Sequence, residues 1–212
     1  HRVDRRQRQM CIRDRNRAVT KQDYMSLVYR MPSNFGSVKR ANVVQDKKSI
    51  KRNLNLFVIS EDSDGKLIES SSTVKNNLRS WLNKYKMIND TVDILDGRIA
   101  NIGIQFEAIG NPEKNSNEVL MVCLNALKNE YSGHFYFGQP FYISDIYRIL
   151  NDLPEVLDVK TVKIISQYGT NYSGTEYEAE ANVSVDGRFI KVPEDVILEV
   201  KYPNTDIIGV VV

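Results

Sequence analysis

Sulfur and imidazole are scarce in this sequence. Of its 212 residues only two are Cys (Cys11 and Cys123) and only two are His (His1 and His134). Cys11 and His1 fall in the first fifteen residues, a segment that stands apart in composition. The remaining thiol cannot make an internal disulfide, and no Cys/His spacing suits zinc. No apolar run approaches the roughly 20 residues a membrane helix requires. The charged N-terminus lacks the apolar stretch of a secretory signal. Gly-x-Ser-x-Gly elbows, phosphate-binding loops and His-Glu-x-x-His helices are absent as well. With 42% hydrophobic and 26% charged residues, the composition is that of a soluble globular protein made in the cytosol.

Charge is unevenly placed. Residues 1–15, HRVDRRQRQMCIRDR, hold six Arg and two Asp, a surplus of four positive charges in a chain whose formal charge is +2. The rest therefore carries −2. An arginine-rich arm could bind phosphates. This stretch instead resembles translated sequencing-adapter text, so residues 1–15 are expected to be an artefact and disordered, and carry no argument about fold or function.

From Thr20 the hydrophobic pattern becomes regular. Thr20 and Asp23 have the spacing of a capping box, and Tyr24, Leu27, Val28 and Met31 share one helical face that Pro32 ends. Val38 to Val44 and Asn53 to Ile59 read as strands. A helix capped by Ser72 presents Val74, Leu78, Trp81, Leu82 and Tyr85 on one side. Asp96-Gly97 lies between the apolar runs Thr91 to Leu95 and Arg98 to Ile109 and predicts a hairpin. Ile102, Ile104, Phe106 and Ala108 alternate inward. A helix opened at Asn111-Pro112-Glu113 carries Leu120, Cys123, Leu124, Leu127 and Tyr131. A shorter one capped by Ser144 carries Ile146, Ile149, Leu150 and Leu153 and stops at Pro154. Val156 to Ile165 is a strand, and Ser166 to Tyr177 a loop. The rest predicts strands: Ala179 to Val185 and Arg188 to Val192 about Asp186-Gly187, then Val196 to Lys201 and Asp206 to Val212 about Pro203-Asn204.

This order predicts an α+β fold of split β-α-β, ferredoxin-like sandwich units, with helices on one face of mainly antiparallel sheets, plus a β-rich C-terminal segment. The expected organisation is a helix–strand remnant of a preceding domain over 16–50, an α+β core over 51–166 and the β-rich segment over 167–212.

Candidate sites in the sequence carry little chemistry. Asp62-Ser63-Asp64-Gly65 has a calcium-loop flavour. With Gly65 in the sixth place, however, the first and twelfth ligands would be Ser60 and Ser71 where carboxylates are needed. His134 shows no positioned partner for general base work. Asp93 and Asp96 read as a strand's polar side and a turn residue, not as a glycosidase pair. Trp81 and Cys123 read as core. Phe135, Tyr136, Phe137, Phe141 and Tyr142 could stack bases, but no basic patch or RNA-recognition signature surrounds them, so they read as core or protein-interface aromatics.

Several stretches together resemble one family. Thr20-Lys21-Gln22-Asp23-Tyr24 with Leu27, then Arg30-Met31-Pro32, then Val38-Lys39-Arg40-Ala41 are similar to the T-x-x-D-Y-x-x-L, R-x-P and V-x-R-A elements of baseplate J-like proteins of contractile-tailed phages. Val74 to Ile104 resembles T4-like wedge proteins of marine phages. Ile143 to Val159 resembles the family's I-x-x-I-x-x-V-x-G-V-x-x-V element, with Pro154-Glu155 where Gly is often found. Leu198 to Pro203 with Asp206-Ile207 is also wedge-like. The resemblance covers nearly everything after residue 17.

It implies a virion structural subunit of the tail baseplate, assembled in the bacterial host cytoplasm. Such proteins dimerise, link neighbouring wedges around the hub and rearrange as the sheath contracts. The implied partners are other wedge subunits and a second copy of the chain. No enzyme activity, small-molecule substrate, nucleic acid, membrane insertion, cofactor or metal is implied, and no interface residue is identified. The family's proteins are longer, so the chain is expected to be a C-terminal part whose apolar surface is covered in the assembly. Two rival readings remain: a nucleic-acid-binding module on the same fold, and a tail-associated cell-wall hydrolase.

Overall fold

The computed structural model describes residues 17–46, 53–131, 133, 135–175 and 177–212. Residues 1–15 and His134 lie outside the described residues. The fold is α+β, and its contacts divide it at Gly97/Arg98 into two compact units.

The first unit begins with helix α1 (Lys21–Tyr29). Its N-terminus is closed on both sides: Asp23 N–H donates to the Thr20 hydroxyl (3.2 Å), and Thr20 N–H donates to the Asp23 carboxylate (2.8 Å). Two otherwise orphaned donors are thus paired. Strand β1 (Arg40–Gln45) runs antiparallel to β2 (Asn53–Glu61), which turns through Asp62 and Gly65 (φ 79°) into the short antiparallel β3 (Leu67–Glu69). Helix α2 (Ser72–Leu82) follows, capped by Ser71. Strand β4 (Thr91–Asp96) then pairs parallel with β2. Alternation decides which face is covered. Ala41 and Val43 of β1, Leu54, Leu56 and Val58 of β2 and Ile94 of β4 are buried together with Tyr24, Leu27 and Val28 of α1 and Leu78 and Leu82 of α2. Their intervening neighbours on β1 and β2 stay partly open.

The second unit is built on β5 (Arg98–Gly110), its longest strand. Helix α3 (Ser116–Tyr131), the two-residue β6 (Phe141–Tyr142) and helix α4 (Ile143–Asn151) lead to β7 (Val156–Ser166), antiparallel to β5. Strand β8 (Phe189–Ile190) pairs with β6. Strand β9 (Val196–Glu199) runs parallel to the first residues of β5. After the one-turn helix α5 (Pro203–Asp206), β10 (Ile207–Val211) runs parallel to its second half. Ile102, Ile104, Phe106 and Ala108 share one core with Val119, Cys123 and Leu127 of α3 and Ile146 and Leu150 of α4. The opposite face of the second half of β5, with Gln105 and Ile109, is open.

Several expectations change. Asp96-Gly97 does not make a hairpin. Gly97 N–H extends the β4–β2 ladder by donating to Val58 O (3.1 Å), while Arg98 N–H donates to Asp195 O (2.9 Å) and starts the ladder with β9. Gly97 is also not among the glycines of positive φ, which such a turn requires. The backbone thus changes partner at this point, from β2 to β9. Asp186-Gly187 does form a turn (Gly187 φ 69°), but a single bridge, Val183 to Ile190, joins its arms. The residues expected as a strand over 179–185 instead include a 3-10 turn, Glu180–Asn182. Helix α3 starts at Ser116, not at Pro112, and α4 at Ile143 without a serine cap. Backbone pairing crosses both 50/51 and 166/167: β1 pairs with β2, and β9 and β10 pair with β5.

Candidate assembly surface

The residues singled out in the sequence are mostly structural. Trp81 donates its indole N–H to Leu27 O (2.9 Å) and packs on Tyr85 with ring centroids 4.9 Å apart, so it ties α2 to α1. Cys123 is fully buried in α3, and burial pushes its thiol up from the ordinary value. A thiol in that state is a poor nucleophile. Asp62 to Gly65 form the β2–β3 turn. Asp96 holds Lys75 at 2.7 Å, and Asp93 is exposed. Among the aromatics, Phe141 is buried and packs on Tyr131 (5.4 Å) and Phe135 (5.7 Å). Tyr136 and Tyr142 remain exposed. Among the described residues no group of three or more His, Cys, Asp or Glu could hold a metal ion, and no helix is long and apolar enough to cross a membrane. An open groove lined by Ser166, Tyr168, Glu178 and Glu180 brings two carboxylates to one rim, both exposed.

The strand edges are more informative. An edge strand presents unpaired N–H and C=O groups, and proteins blunt them with charge or with a covering group. Two edges are closed in one way. Ala41 of β1 turns its N–H away from β2, and the Tyr29 hydroxyl of α1 accepts it (3.1 Å). Val162 of β7 turns its N–H away from β5, and the Tyr147 hydroxyl of α4 accepts it (3.0 Å). Strand β7 also carries Asp158, Lys160 and Lys163 along its length. Replacing Tyr147 with Phe should lower the stability of the second unit by about 1 kcal/mol, the typical net value of one hydrogen bond; urea unfolding measures it.

Among the described residues, strand β10 has neither device. It ends the order β10-β5-β7, and residues 207–212, IIGVVV, contain no charge and no proline. Val212 directs both its N–H and its C=O at β5, to Ala108 O (2.9 Å) and from Gly110 N (3.3 Å). By alternation, Gly209 and Val211 direct theirs outward. On the face away from the helices Ile208, Val210 and Val212 are exposed at 51%, 57% and 70%. They adjoin Gln105, Glu107 and Ile109 of β5. Lys160 lies 2.6 Å from Glu107, and its hydrogen bond holds that carboxyl below the usual range. An apolar edge beside a neutralised row is the kind of surface on which strands of other chains can pair.

The position of β10 is fixed from beneath. A Cβ on Gly209 would lie 2.2 Å from Cζ of Phe106. Gly209→Ala should therefore push the ring off its site and cost about 1–3 kcal/mol, read by thermal melting. A buried polar cluster anchors the turn before β10. The Asp206 carboxylate, 2% exposed, accepts the Tyr172 hydroxyl (2.6 Å) and Tyr202 N–H (2.8 Å). Asn101 donates to Glu199 (2.8 Å), and its own oxygen accepts Ser173 N–H (2.7 Å). Nothing in the local pattern marked these side chains as buried; Asp206, four residues after Tyr202 and closing a Pro-initiated turn, carried the only local hint. The hydrogen bond to Asp206 pushes the Tyr172 phenol up to about 12. A raised phenol contributes stability that is complete below its unfolded value near 10 and is lost as pH rises through about 12. Tyrosinate absorbance should show this late-titrating group, and Asp206→Asn should bring it down.

No protein-family model matches the chain, and no curated protein matches it. Its fold is similar to that of a solved chain in the cryo-EM structure of the anti-feeding prophage baseplate, six-fold symmetrised. The TM-score is 0.52 at 12% sequence identity, over 89% of this chain and 38% of that one. The chain thus spans well under half the length of the protein it matches, and at this identity the likeness is one of fold.

Proposed function

We propose that this chain is a structural subunit of a contractile-tail baseplate, a wedge component of the baseplate J-like kind. The observation that carries the reading is the fold shared across 89% of the chain with a protein of the anti-feeding prophage baseplate. The motif order from Thr20 to Ile207 supports it independently. In this role the chain joins neighbouring wedges around the hub through contacts with other wedge subunits and with its own copies, and the ring follows sheath contraction by shifting those contacts. Its working parts are surfaces, so buried clusters such as Asp206 with Tyr172 serve to hold a loop, not to turn over a substrate.

Immunogold labelling of purified contractile tails from the source, with antibody raised against this chain, tests the role. Label confined to the baseplate end is the expected result. Tails that assemble and contract normally after deletion of the gene would sink it. Residual DNA affinity without residues 1–15, with a steep salt dependence, would favour the nucleic-acid reading instead.

A further inference from the structure

We propose that β10 is a self-pairing edge: two copies of the chain join their β10 strands antiparallel about a two-fold axis at Gly209, continuing one sheet across both molecules. The inference rests on the baseplate reading and names the surface through which two copies meet.

Three observations choose this edge and a second copy as its occupant. First, the edges of β1 and β7 each have an outward N–H taken by a tyrosine hydroxyl, whereas the outward N–H and C=O groups of Gly209 and Val211 meet no partner among the described residues. Second, the strand is compatible with itself. Residues 207–212 are uncharged, and the nearest charge on the adjoining row, Glu107, is matched by Lys160 of its own chain. A second copy therefore brings no like charge to the contact, and an isologous interface needs a patch complementary to itself. Third, the geometry closes at one residue. The backbone groups of Ile207, Gly209 and Val211 turn away from β5 by alternation, and Gly209 lies at their centre, so Gly209 meets its own copy there without a side chain. Ile207 then faces Val211 of the other copy, and Ile208 faces Val210 on the open side. Such β-branched cross-strand pairs are favourable. Pairing confined to one short strand buries little area, so the contact is weak alone and is strengthened wherever other contacts already hold two copies together.

The register makes a specific demand. Ile208 and Val210 of opposite copies form a non-hydrogen-bonded pair, whose Cα atoms approach to about 4.5 Å, within disulfide range. In a Cys11→Ser background, with Cys123 buried, mixing Ile208→Cys with Val210→Cys chains under mild oxidation should give a mixed disulfide dimer at least about 10-fold faster than Val185→Cys, a fully exposed collision control. Val210→Lys places like charges near the axis and should weaken self-association by about 10- to 100-fold in sedimentation. Its thermal midpoint should stay unchanged, since the side chain is exposed. Mixed linkage no faster than the control, faster linkage of Val210→Cys to itself, or self-association indifferent to Val210→Lys would each overturn the proposal. Those results leave the baseplate role standing, because tail labelling tests it separately.

Discussion

Leu127→Ala should lower the stability of the second unit by about 3–4 kcal/mol and its thermal midpoint by roughly 10–20 °C. Leu127 is fully buried on α3, in one stripe with Val119, Cys123 and Tyr131. That stripe shares a core with Ile102, Ile104, Phe106 and Ala108 of β5. Removing the isobutyl group forfeits its transfer energy and leaves a cavity whose walls are held on one side by a strand bonded on both edges, so collapse is limited. Leu127→Met keeps the volume and should cost under about 1.5 kcal/mol. Calorimetry of the two variants separates volume from mere substitution: equal losses would mean that α3 does not pack as described.

That core was legible because it is written in local periodicities. The i, i+4 stripe of α3 and the period of two in β5 each need only a dozen residues of context. The same holds for the Thr20–Asp23 cap, which is a spacing rule with a physical cause. Strand partners were not legible. Asp96-Gly97 has the chemistry of a tight turn, and nothing near it reveals that β4 already has β2 as a parallel neighbour and that β5 will take β7, β9 and β10. A turn preference is worth little beside a full ladder of backbone hydrogen bonds, so the long-range pairing prevails.

The edge features escaped the sequence for a related reason. Tyr29 and Tyr147 look like ordinary amphipathic helix residues, and only the fold shows their hydroxyls meeting the outward N–H groups of Ala41 and Val162. Residues 207–212 of β10 are apolar throughout, and apolar runs usually signal burial. Its significance comes from lying at an edge, where the lack of Lys and Pro in the strand, and of a covering tyrosine hydroxyl among the described residues, changes what the same residues do.

Asp206→Ala should destabilise the second unit by about 3 kcal/mol, the loss expected when a charge-assisted acceptor is removed from a buried cluster. Tyr172 loses the acceptor of its hydroxyl and Tyr202 the acceptor of its N–H. Tyr172 stacks edge-on against Tyr202 (5.6 Å), so the two changes fall on one ring pair. The damage should therefore spread in a definite direction: along the loop that Ser173 ties to Asn101, and into α5, which sets the start of β10. Amide exchange should speed up at Ser173, Tyr202 and Ile207 and change little along α3. Asp206→Asn retains one acceptor oxygen but not the charge, and should lose about half as much. If both variants melt like the parent, the carboxylate does not hold this turn, and β10 is kept in register by its ladder with β5 alone.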